Sequence, residues 1–171
     1  MKFPWTMLAI VMCLSVTLQA FNNPNESLAS IEEAFSNEDV VAQRLSSIAL
    51  PLEARYTNTV RDNIRRYVTN GYRDSEYMLG RTSMYFPIFE HYLRIYDLPS
   101  SLKYLPLIES SLRPRVVSPA GATGLWQLVS STAQSYGLTI NQYVDERMDP
   151  HKSTQAAVRM LADLYGDFKD W

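Results

Sequence analysis

The chain has few of the residues on which cross-linked or metal-dependent sites depend. Its 171 residues include one cysteine, Cys13, and two histidines, His91 and His151. A single cysteine excludes an intramolecular disulfide framework. Two histidines sixty residues apart, without neighbouring ligand spacing, give no pattern for a metal site. We therefore expect a domain that folds on its apolar core, with neither metal nor cofactor.

The chain also lacks an excess of charge of one sign. Its formal net charge is −2, and charged residues make up 20% of the sequence. It has no arginine-rich tail, no zinc-finger spacing and no phosphate-binding GxxxxGK[ST] loop. These absences exclude the common classes of nucleic-acid binders. A hydrophobic content of 46% is enough for one domain with a real core.

The longest uncharged apolar run, residues 3–18, follows Lys2 at the N-terminus. A short positive start, an apolar segment and a small residue at Ala20 are typical of a secretory signal peptide over residues 1–20. An uncleaved membrane anchor remains the alternative, although the run is short for a membrane span. We expect an exported protein in the periplasm or cell envelope, and membrane association stays open.

Residues 21–98 have the spacing of a helical N-terminal region. A polar segment over residues 21–36 precedes a predicted helix between Asn37 and Ile48. Apolar residues then recur at helical spacing from residue 52 to residue 68, and the Asn70-Gly71 pair favours a helix C-terminus.

A further predicted helix, residues 74–96, contains an aromatic stripe and one proline. Pro87 has no backbone N–H, so we expect it to kink the helix or divide it in two. The stripe is more typical of a buried helix face than of a ligand site. Strand signals are weak along the whole chain, so the sequence predicts a mainly α fold.

Residues 99–171 alternate short helices with one irregular segment. Residues 113–124, rich in proline, glycine and alanine, predict a loop. A helix is predicted from about Trp126 to Tyr136, and Pro150 is placed to open the last helix.

Glu109 is the first candidate for chemistry. It ends the otherwise apolar run Leu105–Ile108, in the helix that precedes the loop. An acid held against apolar side chains is disfavoured as an anion, so we expect a raised pKa. That is the state a general acid needs near neutral pH. The alternative is a solvated surface glutamate near the end of a helix.

Three residues of the following segment are candidates for substrate binding. Ser118 is placed to hydrogen-bond the Glu109 carboxyl, or else to stabilise a turn before Pro119. Gln127 is a candidate for binding a sugar hydroxyl or N-acetyl group, or else satisfies its own backbone at a helix N-terminus. Trp126 is a candidate for stacking on a sugar face, or else is a buried core residue.

Taken together, these motifs resemble the soluble-lytic-transglycosylase (SLT) catalytic domain of the lysozyme-like superfamily. The family pairs a Glu-Ser motif with a later Gly-Leu-Met-Gln motif and has a serine between them. Here the motifs are Glu109-Ser110 and Gly124-Leu125-Trp126-Gln127, with Ser118 nine residues and Gln127 eighteen residues after Glu109. The resemblance implies a lysozyme-like α+β superfamily fold with little or no strand in this chain.

The resemblance covers roughly residues 50–171 and points to one subgroup of the family. Trp126, where the family has methionine, is similar to the type D membrane-bound lytic murein transglycosylases. Three further segments also resemble that subgroup: residues 85–90, 145–150 and 153–157.

The resemblance stops at the C-terminus of the sequence. The family has an Ala-Tyr-Asn-x-Gly motif soon after a segment like residues 166–171, and type D enzymes often continue into LysM modules. Neither is present before Trp171. We therefore expect a helical N-terminal region over residues 21–98, followed by a C-terminally truncated catalytic domain over residues 99–171.

The resemblance implies peptidoglycan as substrate and partner. Glu109 would cleave the β-1,4 bond between N-acetylmuramic acid and N-acetylglucosamine, acting first as acid and then as base, and would leave a 1,6-anhydro end. A hydrolytic muramidase is the alternative enzyme, with a second carboxylate from the cluster Asp145, Glu146 and Asp149. That cluster reads better as a structured loop with an Arg147 ion pair. A non-catalytic wall-binding protein and a helical interaction protein are the alternatives outside enzymes.

Overall fold

The computed structural model describes residues 57–68 and 72–171, together with Gln43. The chain divides into two compact units, residues 1–80 and residues 81–171. The predicted signal peptide and the predicted helix between Asn37 and Ile48 lie outside the described residues. In the part described, no helix is both long and apolar enough to cross a membrane.

The described part of the first unit is helical. Helix α1 comprises Asn58–Val68 and begins after Thr57, whose side-chain Oγ1 accepts a hydrogen bond from the backbone N–H of Val60. Val60 and Ile64, one helical turn apart on this helix, are buried. The Ser75 hydroxyl donates to the Tyr67 carbonyl at 3.0 Å and joins α1 to the next helix.

Helix α2 comprises Tyr72–Ile95 and contains Pro87 without interruption. The predicted division into two helices is therefore wrong. A proline inside a helix removes one hydrogen bond, but packing can offset that loss. Phe89 and Leu93, on the part of α2 that belongs to the second unit, are at most 1% exposed, so the proline-containing turn is held by buried side chains.

Four short helices and one long helix, joined by loops and turns, make up the rest of the second unit. They are a 3-10 helix at Ser100–Tyr104, α3 at Leu105–Ser110, α4 at Ser130–Ser135, a 3-10 helix at Glu146–Met148 and α5 at Pro150–Phe168. The described residues contain no strand, only the isolated antiparallel bridges Val117–Thr123, Thr123–Leu128 and Ile140–Asp145. The prediction of a mainly α fold is confirmed.

Helix α4 is shorter than the sequence predicts. The expected helix began near Trp126, but the observed helix begins at Ser130. The residues before it form a tight turn, closed by hydrogen bonds in both directions between Thr123 and Leu128. Gln127 lies in this turn with a left-handed φ of 49°. A helix could not include that backbone conformation, so the predicted start is wrong.

The core of the second unit lies between α2, α3, the tight turn and α5. Its apolar residues include Phe89, Leu107, Leu125 and Val158, each at most 1% exposed. Helix α5 begins at Pro150, as predicted, and its first turn is capped by the carboxylate of Asp149. This core fixes α3 and the turn, the two elements that carry the candidate site.

Candidate active site

Glu109 lies near the end of α3, and the backbone after it is unusual. Ser111 and Leu112 both have left-handed conformations, with φ of 51° and 56°, and they end the helix. Leu112 is fully buried, so its side chain anchors this reversal in the core. Neither residue is glycine, so the conformation carries a local cost that the packing must offset. Glu109 is thus held at a fixed helix end.

Ser110 links this helix end to the tight turn. Its hydroxyl is buried and lies 2.9 Å from both the Pro106 carbonyl and the Leu125 carbonyl. The first contact is within α3, and the second reaches the segment that precedes Trp126 and Gln127. The two motifs that the sequence singled out are therefore adjacent in the fold.

Two guanidinium groups contact the C-terminal end of α3. Arg81 donates to the Ser111 carbonyl at 3.1 Å, and Arg113 donates through Nε to the Ser110 carbonyl at 3.3 Å. Carbonyl groups at a helix C-terminus carry partial negative charge and favour such cations. Within the part of the chain that the structure describes, neither arginine forms an ion pair with Glu109.

Glu109 is exposed, which agrees with the surface alternative. Neighbouring protein atoms nevertheless remove part of its hydration, and this desolvation raises the pKa of the Glu109 carboxyl. The raised pKa expected from the sequence is confirmed. A carboxyl group that is reachable, not ion-paired and more readily protonated is suited to donate a proton.

Ser118 lies in the loop that ends next to the tight turn. Its backbone N–H donates to the Ala122 carbonyl at 2.8 Å, and its Oγ accepts from the Ala122 N–H at 3.1 Å. These contacts are those of the turn-stabilising alternative. The hydroxyl acts as an acceptor here, so its own proton remains available as a donor. A hydrogen bond from Ser118 to Glu109 stays a prediction.

Gln127 does not lie at a helix N-terminus, as the alternative expected, although its side-chain amide does bind the backbone as that alternative expected. Its amide Nε2 lies 3.0 Å from the Gly124 carbonyl and 3.3 Å from the Val116 carbonyl. Both amide hydrogens are thus directed at backbone acceptors, which fixes the orientation of the group. The amide oxygen is left as an acceptor suited to a sugar hydroxyl or an N-acetyl N–H. Substrate binding by Gln127 stays a prediction.

Trp126 is buried and 8% exposed. Its indole N–H donates to Thr154 Oγ1 at 2.9 Å, and its ring meets Phe89 edge-on with 5.3 Å between centroids. A tryptophan that stacks on a sugar needs a free ring face. The observed position therefore favours the core alternative and joins the tight turn to α2 and α5.

The three carboxylates of the acidic segment Asp145–Asp149 all bind nearby cations or backbone N–H groups. Arg147 forms an ion pair, as predicted, and the structure identifies Asp145 as its bidentate partner; this interaction lowers the pKa of the Asp145 carboxyl. Glu146 pairs with Lys152 and accepts from the Thr139 N–H at 2.7 Å, and these contacts lower its pKa. Asp149 accepts from the N–H groups of His151 and Lys152, each at 2.9 Å.

Gly124 and Arg147 hold the tight turn, a role the sequence reading did not assign. Gly124 has a φ of 84°, and a Cβ added there would lie 2.0 Å from the Arg147 carbonyl oxygen. Only glycine allows both the conformation and this close approach. The sequence predicted an ion pair for Arg147. It did not predict the contacts of Arg147 with Gly121 and Leu128, which are far away in the chain.

Comparison with known proteins agrees with this arrangement. Residues 87–171 match the family described as "Transglycosylase SLT domain". The chain is 40% identical over 76 residues to "Membrane-bound lytic murein transglycosylase D" of Escherichia coli (strain K12), covering 44% of this chain and 17% of that protein. It is 37% identical over 82 residues to "Membrane-bound lytic murein transglycosylase F" of Citrobacter koseri, covering 47% of this chain and 14% of that protein.

A third relative has a different kind of name. A protein of Alteromonas sp. (strain M-1), named for tributyltin chloride resistance, is 37% identical over 76 residues, which cover 44% of this chain and 37% of that protein. In all three comparisons the chain spans well under two thirds of the relative. The match at residues 87–171 and the helical fold confirm the predicted lysozyme-like class, and this part of the chain belongs to the transglycosylase SLT domain family.

Proposed function

We propose that the protein is a peptidoglycan lytic transglycosylase in which Glu109 is the general acid and then the general base. The substrate bond is the β-1,4 link between N-acetylmuramic acid and N-acetylglucosamine. The domain match and the names of the two murein transglycosylases support the substrate class. The raised pKa of the Glu109 carboxyl supports the mechanism.

In the first step, protonated Glu109 donates its proton to the glycosidic oxygen as the bond to the muramyl C1 breaks. The raised pKa of Glu109 increases the protonated fraction near neutral pH. The leaving N-acetylglucosamine chain departs with this proton on its new hydroxyl group. The carboxylate left on Glu109 then lies beside the positively polarised muramyl ring.

In the second step, the same carboxylate takes the proton of the muramyl 6-hydroxyl, whose oxygen attacks C1. The product is a 1,6-anhydromuramyl end, no water is consumed, and Glu109 returns to its protonated form. Because the nucleophile belongs to the substrate, one carboxyl group is sufficient. Ordinary glycoside hydrolysis instead uses a second carboxylate as nucleophile or to activate water.

The single observation that carries this proposal is the difference between Glu109 and the acidic segment. The carboxylates of Asp145, Glu146 and Asp149 each bind a cation or a backbone N–H. Each would have to leave those partners to act as a second catalytic group. Glu109 has no such partner among the described residues, so the arrangement favours the one-carboxylate reaction over hydrolysis.

Gln127 and Ser118 are proposed to bind the glycan next to Glu109. The Gln127 amide oxygen is oriented by its two backbone contacts and is suited to accept from the substrate. Ser118 can donate its hydroxyl proton either to the substrate or to the Glu109 carboxylate. Trp126 supports the turn from the core side. We also propose that the protein acts in the cell envelope, where peptidoglycan lies.

The experiment is mass spectrometry of purified peptidoglycan after incubation with the protein, with Glu109→Gln in parallel. We expect muropeptides that are one water lighter than hydrolysis products, and we expect the variant to form none. Reducing ends in place of anhydro ends would identify a muramidase and overturn the mechanism. Binding to peptidoglycan without any product from the folded parent would identify a wall-binding protein and overturn the activity.

A further inference from the structure

Arg147 makes more contacts than an ion pair with Asp145 requires. The residue is 7% exposed. Its Nε donates to Asp145 Oδ1 at 2.9 Å and its Nη2 donates to Asp145 Oδ2 at 2.6 Å, a bidentate arrangement. The carboxylate thereby fixes the plane of the guanidinium and compensates its charge in a buried position.

The remaining guanidinium nitrogen reaches the turn that carries the candidate binding residues. Nη1 donates to the Gly121 carbonyl at 2.9 Å and to the Leu128 carbonyl at 3.2 Å. These two carbonyls lie at the two ends of the segment Gly121–Leu128, which we call the binding turn. One side chain therefore closes the binding turn from outside its own sequence.

The backbone of Arg147 also contacts the middle of the binding turn. Its carbonyl oxygen lies 2.0 Å from the position that a Cβ on Gly124 would take, so the two backbone segments are in direct contact there. Gly124 O is in turn an acceptor for the Gln127 amide. A short path of contacts thus leads from Arg147 through the Gly124 backbone to the side chain proposed to bind substrate.

The conformation of Gln127 makes this support necessary. A non-glycine residue with a φ of 49° is in a sparsely populated region, which persists only where the surroundings impose it. Without Arg147, the Gly121 and Leu128 carbonyls would keep their contacts with Thr123 but would lose the guanidinium that ties both of them to Asp145. We expect the binding turn to relax, and the Gln127 amide to lose its fixed orientation.

We propose that Arg147 is a positioning residue for substrate binding, which holds the binding turn so that the Gln127 amide oxygen faces the glycan. The proposal rests on the proposed function, because it assigns the glycan as the ligand of Gln127. Lysine at this position would keep the charge. It could not donate at once to both Asp145 oxygens and to both ends of the turn.

The first measurement does not depend on activity. In the full-length protein labelled with ¹⁵N, the side-chain NH₂ signals of Gln127 are assigned by their loss in Gln127→Glu. In the parent we expect them to be shifted and protected from exchange, as hydrogen-bonded amide protons are. In Arg147→Lys we expect them to move to the position of a solvated glutamine. Unchanged signals in a folded Arg147→Lys variant would overturn the proposal.

The second measurement separates positioning from a general loss of structure. With soluble peptidoglycan glycan strands as substrate, Arg147→Lys is expected to raise KM about tenfold, with a smaller change in kcat. In a Gln127→Ala background, the same change should leave KM nearly unaltered, because the group being positioned is gone. An equal rise of KM in both backgrounds would show a merely structural role and overturn the proposal.

Two further variants complete the design. Lys152→Met removes an exposed cation from the neighbouring segment, breaks the pair with Glu146 and is expected to change neither the Gln127 signals nor KM. If Arg147→Lys does not fold, Asp145→Asn replaces it, since it weakens the same bidentate contact and should shift the Gln127 signals in the same direction. A parent that forms no anhydro product contradicts the proposed function alone, because the Gln127 signals still decide whether Arg147 positions the turn.

Discussion

The two acidic regions of the SLT domain, the end of α3 and the segment Asp145–Asp149, differ in how their carboxyl groups are bound. Glu109 has no ion-pair partner among the described residues, and desolvation raises its pKa. Asp145 and Glu146 are bound to Arg147 and Lys152, and their pKa values are lowered. Residues of the same chemical type are thus favoured in the protonated form in one region and as bound anions in the other.

This difference follows from the neighbours of each group. A carboxylate that accepts hydrogen bonds from cations or backbone N–H groups is favoured as an anion, so it is a poor acid near neutral pH. A carboxyl group that is partly desolvated and has no such donors keeps its proton more readily. The cations near Glu109, Arg81 and Arg113, donate to backbone carbonyls and not to the carboxyl. Their contacts hold the helix end without neutralising the acid.

The largest expected effect on stability comes from breaking the structural region at Arg147. Arg147→Met leaves Asp145 without its bidentate partner and removes one donor each from the Gly121 and Leu128 carbonyls, which keep only their contacts with Thr123. Removal of one member of a buried ion pair costs about 3–5 kcal/mol in the free energy of unfolding. Urea denaturation followed by circular dichroism would measure it. A loss comparable to that of an exposed ion pair would show that Arg147 does not hold the fold.

A smaller effect is expected where the two segments touch at Gly124. Gly124→Ala puts a methyl group against the Arg147 carbonyl and imposes a left-handed conformation on alanine, with an expected cost of about 2–3 kcal/mol. Gly121→Ala is the matched control, since Gly121 also has a positive φ but open space around it. It should lose only about 1 kcal/mol. Equal losses in the two variants would contradict the close approach of Arg147.

The cap of α5 is expected to contribute less. Asp149→Ala removes the carboxylate that accepts from the N–H groups of His151 and Lys152. Loss of such an N-cap costs about 1 kcal/mol. Thermal denaturation would measure the change, and Asp149→Asn, which can still cap a helix, should restore most of it. A variant as stable as the parent would show that the cap is dispensable.

The smallest expected effect is a pH-dependent difference in melting temperature between Glu109→Gln and the parent. Ionisation of Glu109 is less favourable in the folded than in the unfolded protein, so its contribution to stability is lost as pH rises through its raised pKa. Glu109→Gln should therefore melt above the parent at neutral pH, with the difference vanishing below the ordinary glutamate pKa.

Asp145→Asn is the control of opposite sign. Asp145 stabilises the folded protein above the ordinary aspartate pKa, and this stabilisation is lost as pH falls through the lowered pKa of Asp145. This variant should melt below the parent at neutral pH, and the two should converge in acid. Melting differences of the same sign for Glu109→Gln and Asp145→Asn would contradict the assignment of the two regions.

The sequence was informative where a property depends on near neighbours. The apolar residues 105–108 before Glu109 predicted its raised pKa, and the acidic residues around Arg147 predicted an ion pair of Arg147 without identifying the partner. Pro150 marked the start of α5 for a similar reason, since proline is favoured in a first helical turn. These signals are local in the chain and need no knowledge of the fold.

The sequence was less informative where distant residues decide the conformation. The segment 126–136 has a helical pattern, but the bonds between Thr123 and Leu128 and the Gln127 contact with the Val116 carbonyl impose a turn. The burial of Trp126 depends on Phe89 and Thr154, which lie tens of residues away in the chain. Pro87 is itself exposed, and the helix continues through it where Phe89 and Leu93 are buried. Contacts between residues so far apart in the chain cannot be predicted from the local pattern of residues.

The most direct test of the account is the turnover of purified peptidoglycan by variants that neutralise one carboxylate at a time. Glu109→Gln should lower kcat by at least about a hundredfold, as expected for the loss of a general acid. Glu146→Gln and Asp149→Asn should cleave at the parent rate and leave the same anhydro ends. Parent-like turnover by Glu109→Gln, or an equal loss in Glu146→Gln, would contradict the claim that Glu109 alone carries the proton transfers.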